Sequence, residues 1–214
     1  EQRRNRLEEC AIFLHAQLLA RFLLNWFCCR ASKLAIHEAA RQGNLAALMI
    51  HLKKGVKADE TLHSGTTALI EAARNGHVHA VRLLIRHGAD VSAQNAAGFT
   101  ALHCASEKGQ AAIVRLLLDS SALGIGIEAL CGKTALHLAA EQGYEECVKP
   151  LLLHSAPLTA KTQDGSTALD LARRKSHPKV VALLDSFIKD PAIDKTQMPK
   201  LSYDRKACVS LSRS

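Results

Sequence analysis

Thr100-Ala101-Leu102-His103 is one copy of a phrase that also reads Thr67-Ala68-Leu69-Ile70, Thr134-Ala135-Leu136-His137 and Thr167-Ala168-Leu169-Asp170. Successive copies stand 33, 34 and 33 residues apart, and Leu34-Ala35-Ile36-His37 lies another 33 upstream. A period in this range belongs to solenoids of stacked two-helix units, in which no unit buries its apolar face alone and function lies on the surface the stack creates. Working outward, a glycine precedes the four copies by two residues (Gly65, Gly98, Gly132, Gly165). Nine residues after each phrase begins comes Gly43, Gly76, Gly109 or Gly143, with Ser176 in the last copy. A second apolar run follows, as in Val81-Arg82-Leu83-Leu84-Ile85, Val114-Arg115-Leu116-Leu117-Leu118 and Val180-Val181-Ala182-Leu183-Leu184. Gly88-Ala89-Asp90-Val91 then punctuates a helix C-terminus running into a turn, because glycine reaches positive φ without a Cβ clash.

Each part has a physical reading. Thr67, Thr100, Thr134 and Thr167 stand where a first helix begins, so that a hydroxyl can accept from an orphan N–H of the first turn. Ala-Leu pairs a small residue with a large one, and Ala72, Ala73, Ala105, Ala139, Ala140 and Ala172 continue a seam along which neighbouring helices approach closely. The whole pattern resembles the ankyrin repeat, over roughly residues 33–188. That resemblance implies an all-α solenoid of stacked helix-turn-helix units with hairpin loops, in five repeats at about 33–59, 65–92, 98–125, 132–159 and 165–188. Ankyrin repeats typically carry proline where Ala68, Ala101, Ala135 and Ala168 stand; alanine is a good helix former, so little is lost.

Composition agrees with helix-on-helix packing through Leu, Val and Ala: hydrophobic residues make up 48% of the 214 and aromatic residues 4%. Seven cysteines (Cys10, Cys28, Cys29, Cys104, Cys131, Cys147, Cys208) form no C-x-x-C pair. An odd, scattered set suits free thiols in a reducing compartment better than a disulfide framework. The absence of any Asn-x-Ser/Thr acceptor points the same way. The net charge of +8 is spread along the chain without interleaved aromatics or a helix-turn-helix or finger signature, which disfavours nucleic acid and leaves an acidic protein partner or a solvated basic surface.

Three segments leave the repeat. In residues 1–32, apolar side chains at 7, 11, 14, 18 and 22, with a second stripe at 12, 19, 23 and 26, predict an N-terminal apolar helix. His15, Gln17, Arg21 and Asn25 interrupt it. A bilayer span needs about 20 mostly uncharged residues, and a central arginine costs roughly 2.5 kcal/mol or more. A cap over the open end of the stack, or a degenerate extra repeat, is the favoured expectation. A membrane tether with Cys28-Cys29 as acylation sites is the alternative, and this helix is the one place where a membrane could be met. The loop Ser121 to Cys131 is one residue longer than its counterparts. Its Gly124-x-Gly126-x-x-Ala129 follows a helical pattern and not a strand, so it is read as an inter-repeat hairpin that puts Ile125, Ile127 and Leu130 near a tip, and not as a dinucleotide loop. Residues 189–214, with Pro191 and Pro199 and no repeat pattern, are read as a disordered polar, basic tail. Within the fourth repeat, Pro150 removes a helical N–H and is expected to kink or loosen its helix.

No catalytic, cofactor-binding or metal-ligating constellation emerges, and no cofactor is expected. His37-Glu38-Ala39-Ala40-Arg41 lacks the second histidine of a zinc-protease helix, and His77 and His79, two apart on a helix, diverge. His103 and His137 are expected to hydrogen-bond between repeats. The resemblance implies that a partner lies along the concave face made by the hairpin tips and the exposed end of each first helix. Position by position, that face comprises Arg41 and Gln42 in the first repeat, then Thr61, His63, Thr66, Arg74 and Asn75. It continues through Gln94, Phe99, Glu107 and Lys108, then Glu128, Leu130, Lys133, Glu141 and Gln142, and closes with Lys161, Gln163, Ser166, Arg174 and Lys175. Basic outer repeats around an acidic middle suggest a protein partner with an acidic periphery and a small apolar centre near Phe99 and Leu130. The expectation is a monomeric, non-enzymatic interaction scaffold or adaptor of the cytoplasm, with the nucleus or a membrane surface as other locations. The alternatives are a regulatory or targeting arm of a larger enzyme such as a protein kinase, or a membrane-tethered adaptor.

Overall fold

The computed structural model describes residues 34–121 and 124–189, so the apolar segment 1–32 and all of the tail but Lys189 lie outside the described residues. Ten helices are found there: α1 (residues 34–42), α2 (Leu45–Lys53), α3 (Ala68–Arg74), α4 (Val78–Arg86), α5 (Ala101–Glu107), α6 (Ala111–Ser120), α7 (Ala135–Gln142), α8 (Glu145–Leu153), α9 (Ala168–Arg174) and α10 (Pro178–Lys189). Lys189, read from sequence as the start of the tail, is still helical, the last residue of α10. Successive helices pair, α3 with α4 through α9 with α10, and the pairs stack in two layers. The inner layer runs α3–α5–α7–α9 and the outer one α2–α4–α6–α8–α10. The architecture is the all-α solenoid expected.

The inner helices start on threonine. The Thr67 hydroxyl accepts from Ile70 N–H at 3.3 Å and that of Thr167 from Asp170 N–H at 3.3 Å. In α9 the reply is complete, since Asp170 Oδ2 accepts from Thr167 N–H at 3.0 Å and from its hydroxyl at 2.7 Å. In α5 and α7 a histidine ring nitrogen answers in place of the carboxylate. The face behind these caps is dense: Ala101 to Ser106 and Ala135 to Ala140 are buried without interruption.

The glycine that ends each inner helix serves two needs at once. Gly143 lies at φ 79°, and a Cβ there would stand 2.5 Å from His177 Nδ1 of the next repeat. His177 Nε2–H donates to Glu141 O at 3.0 Å across the same junction. In the last repeat, beyond which no further helix stacks among the described residues, Ser176 takes the position at φ 58°.

Pro150 does not end its helix, because α8 runs unbroken through it from Glu145 to Leu153. The proline is buried in the outer layer where Leu83, Leu116 and Leu183 stand in other repeats, so packing holds the helix although one donor to Glu146 O is missing. Pro150→Leu should restore that donor and raise the unfolding free energy by about 2–3 kcal/mol. The gain would be read as a higher urea midpoint with an unchanged slope; an unmoved midpoint would mean that the proline already costs nothing here.

Candidate functional site

The face is built on four hairpins, each closed by an N–H to C=O bond: Leu62 to Thr66 O at 3.1 Å, Asn95 to Phe99 O at 3.0 Å, Ala129 to Lys133 O at 3.0 Å and Thr162 to Ser166 O at 3.0 Å. Neighbouring hairpins join laterally through Ala96 N–H to Ser64 O at 2.9 Å, Leu130 N–H to Ala97 O at 3.2 Å and Gln163 N–H to Cys131 O at 3.3 Å. The tips thereby form one ladder. His63, Ala96, Leu130 and Gln163 occupy equivalent places along it, and all four are exposed.

Histidines fasten this ladder to the inner helices. His103 Nδ1 accepts from Thr100 N–H at 3.2 Å, which fixes the proton on Nε2, and Nε2–H donates to Lys133 O at 3.2 Å. His137 repeats the arrangement, with Thr134 N–H at 3.1 Å and Ala160 O at 3.1 Å. His37 Nε2 reaches Thr66 O at 3.0 Å, a carbonyl that also closes its hairpin. One side chain therefore caps its own helix and holds the next repeat, as the sequence reading of His103 and His137 anticipated. Burial pulls both of these rings below the ordinary imidazole range. Burial likewise pushes the Cys104 thiol up and that of Cys147 to about 11, so both stay protonated near neutrality. These groups serve packing and hydrogen bonding.

Arg41, Gln42, His63, Arg74, Asn75, Gln94, Lys108, Glu128, Leu130, Gln142, Lys161, Gln163, Arg174 and Lys175 are exposed, as expected of a binding face. Thr66 is a correction: it is 6% exposed, because its hydroxyl turns in to Ser64 Oγ at 2.8 Å. Phe99 is a partial one, half-buried against the core and edge-on to the His103 ring at 5.6 Å between centroids. The charge pattern also changes. Arg41 is held by Glu38 at 2.7 Å, and Lys133 is paired with Glu141 at 2.6 Å in a partly buried site. Arg74, beside Glu71 and Glu107, lies 3.8 Å from the Cys104 sulfur. Lys108, Lys161, Arg174 and Lys175 have no ion-pair partner among the described residues, so free positive charge gathers toward the last repeat and not at both ends. Leu130, 70% exposed, is the apolar feature of the tips, while Ile125 from the same loop packs on the core. Sequence reasoning missed Asn95, whose Oδ1 accepts from Ala97 and Phe99 N–H at 3.0 and 2.9 Å to shape its hairpin; asparagine ahead of the Gly98 turn was the available signal.

Among the described residues no cluster of His, Cys, Asp or Glu is arranged to hold a metal, and no helix is long and apolar enough to cross a membrane. The family model for ankyrin repeats (3 copies) matches residues 36–129 and 122–195. No curated protein matches the chain.

Because the folded-state values of His103 and His137 are depressed, acid protonates the unfolded chain first. Their contribution is present in full above the unfolded value of about 6.5 and is lost as pH falls below it. The urea midpoint should therefore drop between pH 7 and 5, and the drop should be shallower in a His103→Gln, His137→Gln double variant. An equal slope in both proteins would remove these rings from the account.

Proposed function

Because the chain belongs to the ankyrin repeat family, whose repeats are generally protein–protein interaction modules, we propose that it is a non-enzymatic scaffold or adaptor that takes its partner along the hairpin-tip ladder. The observation that carries this reading is the 70% exposure of Leu130 in the middle of a row of tips rigidly held from beneath. A large aliphatic side chain presented from a fixed backbone is a good anchor, since little conformational entropy is lost when a partner covers it. Lys108 before it in the chain and Lys161, Arg174 and Lys175 after it add exposed positive charge to the face. The partner of best fit is an acidic protein segment bearing an apolar residue that meets Leu130, with its acidic part over the last repeat. Charge of this kind sets association rate and orientation, and the apolar contact sets affinity. Free thiols at Cys104, Cys131 and Cys147 favour a reducing compartment, the cytoplasm or the nucleus.

The test is capture of partners from cell extract by the intact chain and by a Leu130→Asp, Lys161→Glu, Arg174→Glu variant matched to it by circular dichroism. Phe99 is left alone because its substitution would disturb the core. The variant should lose at least roughly tenfold in affinity for the same partner. Equal capture by both chains would place the working surface elsewhere.

A further inference from the structure

Four of the seven large apolar side chains exposed among the described residues lie on the first helix pair: Leu34 at 62%, Ile50 at 52%, Met49 at 42% and Leu45 at 39%. Deeper in the stack the equivalent places are covered or charged. Leu45 corresponds to Val78 and Ala111, and Ile50 to Leu83 and Leu116, all packed against the core where a preceding repeat lies beside them. Met49 corresponds to Arg82, Arg115 and Lys149, so the first repeat puts a methionine where inner repeats put a cation. His51 stands where Leu84, Leu117 and Leu151 fill the core, and its Nδ1 is shut away from solvent with no hydrogen-bond partner among the described residues. A buried ring nitrogen calls for a partner. Both the apolar face and this atom are therefore incomplete on the same side of the stack.

The material to complete them precedes Leu34 directly. Residues 7–27 carry the stripe Leu7, Ala11, Leu14, Leu18 and Phe22 at helical spacing, and residues 1–33 contain no glycine or proline to interrupt it. We propose that segment 7–27 lies across the outer face of α1 and α2 as an N-terminal cap, its stripe on Leu34, Leu45, Met49 and Ile50 and one of its polar groups serving His51. Glu8, Glu9 and Arg21 weigh against burial of the same segment in a bilayer. A tethered segment also competes at an effective concentration on the order of millimolar, well above that of a second copy of the chain in solution. The inference is independent of the hairpin-tip reading, since it concerns the open end of the stack.

The test places a photoreactive benzoylphenylalanine at position 49 of the full chain. A cross-link into residues 7–27 of the same molecule, unchanged on dilution, is expected. In parallel, Phe22→Asp should speed amide exchange in α1 and α2 roughly tenfold or more while α5 to α8 keep their protection. A cross-link that joins two molecules overturns the proposal. So does binding of segment 7–27 to phosphatidylserine-containing vesicles with position 49 left unreacted, or exchange in α1 and α2 that ignores Phe22→Asp.

Discussion

Inner helices of seven or eight residues cannot hold their shape alone in water, because nucleation fixes several dihedral angles for each hydrogen bond gained. What sustains α3, α5, α7 and α9 is the close lateral contact that alanine permits. Ala72, Ala73, Ala105, Ala139, Ala140 and Ala172 are all fully buried along this seam, and larger side chains there would push the layers apart. The rest of the structure depends on that spacing. Hairpins from adjacent repeats can share main-chain hydrogen bonds only because the inner helices beneath them sit one alanine contact apart. The glycine ends are needed for the same reason, since the space over Gly109 and Gly143 is taken by Tyr144 and His177 of the following repeat.

The junctions are not equally fastened. A histidine three residues after the repeated phrase begins clamps the first repeat to the second, the third to the fourth and the fourth to the fifth. Between the second and third, Ile70 stands in its place and cannot donate. That junction relies on the Ala96 to Ser64 hairpin bond and on Arg74 against the Cys104 sulfur. In a nearly one-dimensional stack each interface contributes separately to the whole. The second junction is thus held by different chemistry from the others.

The periodic parts of the protein were legible because they answer to the local backbone. Threonine at a helix start, glycine at a helix end and histidine in the capping phrase each do their work within a few residues, so spacing alone exposes them. The binding face was harder to read because exposure is decided by contacts between repeats. Thr66 and His63 sit three residues apart on one hairpin, yet the first turns inward to Ser64 and the second outward. Phe99 looks like an anchor in sequence, but the His103 ring of its own repeat offers it an edge to pack on. Arg41 was visibly three residues from Glu38, the spacing of a helical ion pair, and that pairing removes the basic patch assigned to the first repeat. Pro150 was judged by its effect on an isolated helix, whereas α8, buried between α6 and α10, continues through it.

The ends and the face of the stack pose separate physical problems. An interior repeat has a neighbour on each side, so its outward residues are free to specialise, which is why cations can occupy Arg82, Arg115 and Lys149. A terminal repeat must still deal with the surface that no neighbour covers. At the C-terminal end α10 places Lys179, Ala182 and Asp185 among its apolar residues, Asp185 pairs with Arg173 at 3.2 Å, and Ile188 alone of its large apolar residues is exposed. At the N-terminal end Leu34, Leu45, Met49 and Ile50 do not meet it at all. The asymmetry sets Leu130 apart from the four exposed residues of the first helix pair. Leu130 stands alone on a polar ladder, where a single side chain provides a point of attachment. The four residues on α1 and α2 belong to one helix pair and offer more than a single point of attachment. That difference is why we propose an external partner for the hairpin tips and the chain's own apolar segment for the first helix pair.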